Sequence, residues 1–229
     1  MTDVEAKERE RGYQVEREWS PAADKFMENN IFPLLRKENP DCDIVGIYRY
    51  KHNGERDRNK YDHDTEMQVS GKDGYILLHN RKTGDLIRVY FQDKFSNTPI
   101  YEGKWGPSEF IEISDNGGWP GWACGMEDVR FLFFYHPDKI HYLDGVDRFV
   151  HLCKKIYNRW VEGGRRYQEM MVNLPSDPVL NIPSVSSQKL IVDTKDGRGK
   201  TKMKTNMTRF IFERVSKYKY LSFGLEKYK

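Results

Sequence analysis

Hydrophobic positions along the chain form two helical patterns separated by strand-like runs. Apolar residues recur at helical spacing after Ser20-Pro21, which predicts a helix with Ser20 as its N-cap and Pro21 in its first turn. We expect Pro33 to kink or divide this helix and Asn39-Pro40-Asp41 to end it. A second helix is predicted over Asp144 to Trp160, where apolar side chains form one broad face.

Strand signals dominate the middle of the chain. Short runs separated by glycine-containing turns predict an antiparallel meander over Thr65 to Ser70, Tyr75 to His79 and Ile87 to Phe91. The nearly continuous apolar run Val129 to Tyr135 predicts a strand that is central or covered on both faces. Asp43 to Tyr50 is predicted to be a strand or an extended connector.

The order of these elements favours one α+β domain with additions at both ends. Lys189 to Asp193 and Thr208 to Val215 predict a late hairpin around a basic, glycine-containing loop. The fold class that follows is a central mixed sheet with an antiparallel meander, flanked by helices. We divide the chain into a charged N-terminal arm (1–19), a core (20–170), and a connection with a C-terminal basic hairpin packing on the core (171–229).

Composition narrows the class of protein. The 229 residues carry 32% charged side chains that nearly balance, with a formal net charge of +3, which excludes a histone-like polyanion-coating protein but allows a local basic surface. The three cysteines include no CxxC pair, so a zinc ribbon or disulfide framework is not expected. The N-terminus is charged and no apolar stretch is long enough to span a bilayer. We expect a soluble, cytoplasmic protein without a membrane partner.

Candidate chemistry is concentrated at Asp64 and at the tripeptide Gln92-Asp93-Lys94. Side chains alternate between faces in a strand, so Asp64 and Glu66 share one face, and Gln92 and Lys94 share another. If these faces adjoin, carboxylate and amide oxygens meet an ammonium, the groups needed to hold a divalent cation against a phosphodiester. The alternative interpretation is that these polar residues mark the solvated side of an antiparallel sheet.

The acidic residue followed by a tripeptide at the end of an apolar strand resembles the PD-(D/E)xK nuclease superfamily, the restriction-endonuclease-like fold. Asp64 matches the first acid of that family, and Gln92-Asp93-Lys94 matches its acid-x-Lys tripeptide in a QxK variant. The resemblance implies that Asp64 and Gln92 bind Mg²⁺ or Mn²⁺, with Glu66 or Glu28 as further ligands. It also implies that Lys94 orients the attacking water and stabilises charge on the phosphate.

Two basic segments are candidate phosphate contacts. One surrounds the predicted tip of the late hairpin and contains Arg198, Lys200, Lys202 and Lys204. The other precedes Asp64 and contains Lys51, Arg56, Arg58 and Lys60. For both segments the alternative interpretation is an ordinary solvated loop.

Two histidines and one further acid are weaker candidates. Without a nearby cysteine or third histidine, His136 and His141 are interpreted as surface or turn residues rather than zinc ligands. Glu112, on a predicted strand, is a minor candidate metal ligand.

The leading functional hypothesis is a divalent-metal-dependent endonuclease acting on DNA. The first alternative is a catalytically inactive nucleic-acid-binding protein of the same fold. The second is a protein-interaction accessory module of phage or plasmid type, which predicts no nucleic-acid binding at low salt. Enzymes of the resembled family often act as homodimers, so the resemblance allows a homodimer here.

Overall fold

A computed structural model describes residues 3–50, 71–103, 106–114, 119–162, 192–193 and 204–229. The helices in these ranges are α1 Asp3–Asn30, α2 Phe32–Glu38, α3 Trp122–Gly125, α4 Asp147–Glu162 and α5 Arg209–Val215, followed by a 3₁₀ turn at Leu225–Tyr228. None of the helices in the described ranges has the length and apolar character needed to cross a bilayer.

The first helix begins well before the predicted N-cap. The expectation that Ser20 starts the helix is wrong, because α1 continues through Pro21. Proline removes one backbone hydrogen bond, and burial of neighbouring Trp19, Ala22 and Ala23 offsets that loss. The predicted division at Pro33 is confirmed, since α1 ends at Asn30 and Pro33 lies in the first turn of α2.

Two sheets are present in the described part of the chain. Their strands are β1 Cys42–Arg49, β2 Gly74–Asn80, β3 Leu86–Phe95, β4 Glu102–Gly103, β5 Gly106–Glu112, β6 Val129–Tyr135, β7 Ile140–Asp144, β8 Val192–Asp193, β9 Lys204–Thr208 and β10 Lys217–Leu221. The six-stranded main sheet has the order β1-β2-β3-β6-β7-β10, and the smaller, antiparallel sheet has the order β4-β5-β9-β8. In the main sheet β3 and β6 run parallel, whereas the other pairs are antiparallel.

The predicted central strand is confirmed. Strand β6 lies between β3 and β7, and every residue from Phe131 to Tyr135 is buried. Helix α1 covers one face of the sheet, where the Phe26 ring meets Phe133 at 6.0 Å and Tyr135 at 5.9 Å between ring centroids. Helices α4 and α5 pack in the hydrophobic core on the other face. The chain is therefore a mixed α+β fold with a central mixed sheet flanked by helices, as the order of elements predicts.

The meander differs from the prediction in its first strand. Strand β2 pairs with β3 as expected, but its other neighbour is β1, with Arg49 opposite Gly74. Of the two descriptions of Asp43 to Tyr50, the strand is confirmed. The predicted run Thr65 to Ser70 lies outside the described residues. In the structure β1 is the first strand of the meander, and β2, which begins at Gly74, is the second.

The late hairpin is only partly as predicted. Strands β8 and β9 do pair antiparallel, with Asp193 opposite Lys204. The expected strand over Thr208 to Val215 is wrong, because Arg209–Val215 forms α5. Its buried side chains are Ile211, Phe212 and Val215, whose spacing defines one helical face.

The second predicted helix is confirmed with a later start. Its first residue is Asp147, because Asp144 belongs to β7, where it pairs with Phe131 and Lys217. The broad apolar face is buried as expected, through Phe149, Val150, Leu152, Cys153, Ile156 and Trp160.

Candidate metal-binding and catalytic site

The start of β2 meets the end of β3 at Asp73 and Gln92. Gly74 lies opposite Phe91 in the antiparallel pair. Asp73, which precedes Gly74, therefore lies beside Gln92, which follows Phe91. Oδ2 of Asp73 accepts the backbone N–H of Asp93 at 2.9 Å and also the side-chain N–H of Gln92. The Asp73 N–H donates to the Phe91 carbonyl at 3.0 Å, which fixes the position of this carboxylate.

Close packing of three strands at this point depends on Gly74. A Cβ at this position would lie 2.4 Å from the Tyr48 carbonyl oxygen on β1 and 2.6 Å from Cζ of Phe91 on β3. Contacts this short would force β1 or β3 to move, so a larger residue would separate Asp73 from the tripeptide. Beside it, the N–H of Tyr50 donates to the Asp73 carbonyl at 2.9 Å.

Gln92 offers an acceptor that has no partner among the described residues. Its side chain is buried, with 2% exposed. Nε2 donates to Asp73, whereas Oε1 accepts no hydrogen bond in the described part of the chain. A buried acceptor left unpaired costs about 1–3 kcal/mol. A cation beside Gln92 would remove that cost.

Asp93 belongs to the opposite face of β3, next to α1. It forms an ion pair with Arg49, whose guanidinium also lies 2.8 Å from a carboxylate oxygen of Asp24 on α1. Burial raises the pKa of Asp93 above its ordinary value, the Arg49 charge opposes that rise, and the Asp73 charge adds to it. The middle residue of the tripeptide therefore joins β1, β3 and α1.

Glu16 is a carboxyl group near Asp73 that sequence reasoning did not single out. Its pKa rises from 4.5 to about 7, chiefly through burial and then through the charge of Asp73, whereas Arg49, Lys94 and Arg17 lower it. The charge of Asp73 therefore opposes ionisation of Glu16. A sequence signal for this part of α1 does exist, because Val15, Trp19 and Phe26 extend the apolar stripe of the helix toward the N-terminus.

Lys94 lies on the other face of β3 from Asp93. Its Nζ is 4.2 Å from the centre of the Trp122 ring on α3. No acidic side chain in the described ranges lies within ion-pair distance of this ammonium. Lys94 borders a cavity of about 240 Å³ whose wall also contains Glu109, Glu112 and His136. The minor candidate Glu112 thus shares a cavity with Lys94.

A second polar cluster borders this cavity, and it corrects the prediction for the histidines. His136 and His141 are not surface residues, because their relative exposures are 7% and 0%. Nε2 of His136 lies 2.6 Å from Oε1 of Glu109, and Nε2 of His141 lies 2.7 Å from the same oxygen. The third member, Glu109 on β5, comes from the smaller sheet, so no local spacing in the sequence points to it.

The protonation of this cluster follows from its contacts. Burial opposes ionisation of Glu109, but the hydrogen bonds from His136 and His141 outweigh it and lower the pKa of the carboxyl. Burial also opposes charge on His136, yet the contact with Glu109 raises the pKa of that imidazole. For His141 burial dominates and lowers the pKa. The two imidazoles therefore stabilise the ionised Glu109, and His136 accepts a proton more readily than His141.

Most of the other predicted site residues lie outside the described part of the chain. These residues are Asp64, Glu66, Lys51, Arg56, Arg58, Lys60, Arg198, Lys200 and Lys202. Lys204 is the first residue of β9, at the base of the late hairpin. Glu28 is exposed on α1 and lies about 18 Å along the helix axis from Glu16. The structure therefore brings Gln92 together with Asp73 and places Glu16 within range of the Asp73 charge, with Glu28 farther along α1.

Comparisons of the chain with family models, with curated proteins and with solved structures gave no match. Function is therefore inferred from the arrangement of the side chains.

Proposed function

We propose that this protein is a divalent-metal-dependent nuclease that hydrolyses phosphodiester bonds of DNA. The observation that carries the proposal is the contact between the Asp73 carboxylate and the Gln92 amide, with Lys94 on the same strand as Gln92. Asp73 takes the role that the sequence pattern suggested for Asp64, because it directly precedes the second strand of the meander. The order of acid, hairpin and QxK tripeptide keeps the resemblance to the PD-(D/E)xK superfamily.

The proposed metal ligands are oxygen atoms of Asp73, Gln92 and Glu16. Mg²⁺ and Mn²⁺ prefer carboxylate and amide oxygens. Two features of the site favour a cation: Oε1 of Gln92 accepts no hydrogen bond from the described residues, and the Asp73 charge opposes ionisation of Glu16. When bound, the ion would polarise the phosphodiester and lower the pKa of a water molecule.

Lys94 supplies a positively charged side chain for phosphodiester cleavage. In hydrolysis, water attacks the phosphorus, the bond to the leaving oxygen breaks, and negative charge grows on the phosphoryl oxygens. An ammonium at Lys94 can orient the attacking water and stabilise that charge. Its Nζ contacts the Trp122 ring and no carboxylate of the described residues, so its charge is available to a substrate.

DNA is the proposed substrate because basic segments adjoin the site along the chain. The segment containing Lys51, Arg56, Arg58 and Lys60 begins directly after Tyr50, whose N–H binds the Asp73 carbonyl. The same segment re-enters the described structure at Gly71, shortly before Asp73. The second basic segment connects β8 to β9. Lysine and arginine side chains near a phosphodiester site favour a polyanionic substrate.

Plasmid cleavage tests the proposal directly. Pure full-length protein is incubated with supercoiled plasmid and Mg²⁺ or Mn²⁺, with and without a chelator, and the products are resolved on a gel. We expect cleavage that the chelator stops and that Asp73→Asn lowers at least about 100-fold. Asp85→Asn, an exposed acid in the turn between β2 and β3, is the matched control.

Asp64→Asn decides between the two candidates for the first acid. Loss of cleavage in Asp64→Asn with full cleavage in Asp73→Asn would return this role to Asp64. Full cleavage by both variants would overturn the proposed metal site.

A catalytically inactive DNA-binding protein is the second candidate, and Gln92 favours it. A glutamine provides no negative charge for a metal, and its amide already donates to Asp73 within the protein. This candidate predicts salt-dependent plasmid binding without cleavage in any metal. Absence of binding at low salt would instead support the protein-interaction module.

A further inference from the structure

We propose that Glu109, His136 and His141 bind one divalent transition-metal ion, with zinc as the expected occupant. The three side chains come from β5, from the residue after β6, and from β7. One ligand atom of each lies within 4.8 Å of the others. The donors differ from the oxygen atoms around Asp73, and the proposal does not depend on DNA cleavage.

The donor spacing is close to that of a zinc centre. Zinc bonds of about 2.0–2.2 Å in a tetrahedron place neighbouring donor atoms about 3.3–3.6 Å apart. Oε1 of Glu109 lies 2.6 Å from Nε2 of His136 and 2.7 Å from Nε2 of His141. Each separation therefore has to widen by about 1 Å or less to admit the ion. Rotation of the Glu109 side chain can supply a change of this size.

The hydrogen bonds of His136 orient the nitrogen that a metal needs. Nδ1 of His136 lies 3.0 Å from the Thr98 carbonyl oxygen. A carbonyl only accepts, so this nitrogen carries a proton. Nε2 is then the nitrogen that exchanges its proton for a metal. An imidazole that donates its other N–H to a backbone carbonyl is the usual arrangement around protein-bound zinc.

His141 is held with Nε2 toward Glu109. Its ring stacks on Phe134 at 4.7 Å and meets Tyr218 edge-on at 5.7 Å between ring centroids. The ring is completely buried. A ligand fixed in this way loses little conformational freedom when an ion binds.

The chemistry of the donors selects the class of metal. Imidazole nitrogen favours zinc, copper and nickel over magnesium, which prefers oxygen. Two histidines and one carboxylate leave a fourth position of a tetrahedron open, as in catalytic zinc sites. Glu109 and His136 both line the cavity next to Lys94. The proposed site therefore borders a cavity that can hold water or an anion.

Metal titration of the full-length protein tests this site. Protein freed of metal by chelation is titrated with zinc by calorimetry, and with Co²⁺ as a substitute whose absorption reports its ligands. We expect one equivalent of zinc, and a Co²⁺ spectrum without a thiolate charge-transfer band, which excludes the cysteines as ligands. Zinc should also raise the thermal midpoint of the wild type.

Glu109→Gln and His136→Gln are close in size to the residues they replace, and each removes a ligand; Glu109→Gln also keeps the oxygen that accepts from both histidines. We expect each to lower zinc affinity at least about 100-fold and to abolish the zinc-dependent rise in thermal midpoint. His151→Gln, at an exposed position of α4, is the matched control. Circular dichroism checks that each variant folds. If His136→Gln does not fold, the result for Glu109→Gln decides the test. No zinc equivalent in the wild type, or unchanged affinity in folded Glu109→Gln, would overturn the site and leave a buried ion pair.

Discussion

Arg49 on β1 forms a buried ion pair with Asp93 on β3, at the place where β2 between them begins. Their side chains are 18% and 2% exposed. Arg49 also lies over the Phe91 ring, with 5.2 Å from its Cζ to the ring centroid. The pair holds the end of β3 against α1 and the edge of β1. It thereby fixes the strand on which Gln92 and Lys94 lie.

Loss of this ion pair should strongly destabilise the protein. We expect Arg49→Met to lower the free energy of unfolding by about 3–5 kcal/mol, because it leaves the Asp93 carboxylate buried without its partner. Urea unfolding measures this change. The control is Arg81→Met, whose partner Asp43 is exposed at 3.8 Å, and it should cost less than about 1 kcal/mol. A cost for Arg49→Met as small as for Arg81→Met would contradict a structural role for Asp93.

A carboxylate at position 92 should make stability depend on metal. Gln92→Glu places a second carboxyl group directly beside Asp73, so we expect a lower thermal midpoint than wild type in chelator. Mg²⁺ or Mn²⁺ should restore the midpoint, and the metal-dependent shift should exceed that of the wild type. Differential scanning calorimetry at increasing metal concentration measures both. An equal metal response in wild type and variant would argue against an ion at Gln92.

Removal of the Lys94 charge should affect cleavage far more than folding. We expect Lys94→Met to lower the cleavage rate at least about 100-fold, since charge on the phosphate would lose its stabilising ammonium. Loss of the contact between Lys94 and the Trp122 ring should lower the free energy of unfolding by only about 0.5–1 kcal/mol. Lys139→Met is the control, because that lysine also faces an aromatic ring, Tyr220 at 5.8 Å. The proposed role of Lys94 fails if the two variants cleave equally well.

Glu16 should make the metal-free protein less stable as pH rises. Its pKa is raised in the folded state from 4.5 to about 7, so the folded protein holds a proton that the unfolded chain releases. Stability from this group is complete below pH 4.5 and disappears as pH rises through 7. Relative to wild type, Glu16→Gln should gain about 1 kcal/mol at pH 8 after allowance for solvent screening.

Urea unfolding at pH 5 and pH 8 measures this difference, with Glu28→Gln on the same helix as the matched control. Added Mg²⁺ should remove the pH dependence, because a cation stabilises the ionised carboxylate. If the free energies of unfolding of wild type and Glu16→Gln differ by the same amount at both pH values, the pKa of Glu16 is not raised in the folded protein.

The sequence predicted the parts of the fold whose signal is local. The apolar run Val129 to Tyr135 and the helical face of α4 each depend on neighbouring residues, and both are confirmed. Strand β1 and helix α5 were harder to assign. Strand β1 is defined by its pairing with β2 and contains no fully buried residue. An apolar stretch as short as Arg209–Val215 suits a strand or a helix until its packing is known.

The candidate site was predictable only where chemistry and strand pattern coincide. Gln92 and Lys94 stand at the end of an apolar strand, so they attract attention in the sequence. Asp73 lies in a glycine-rich stretch typical of turns, and only the pairing of β2 with β3 brings it to Gln92. Glu109 reaches His136 and His141 from a different sheet, a long-range contact that has no sequence spacing.

Successive side chains of β3 face opposite sides of the sheet, where they have different surroundings. The length of β3 is therefore constrained. Asp93 faces the α1 layer, while Lys94 faces the cavity. Inserting or deleting a single residue between the β2–β3 turn and Phe91 would exchange these two faces. It would turn the ammonium toward α1 and the carboxylate toward the cavity. A substitution in β3 therefore changes one of these two surroundings, whereas a change of one residue in the length of β3 should disrupt both together.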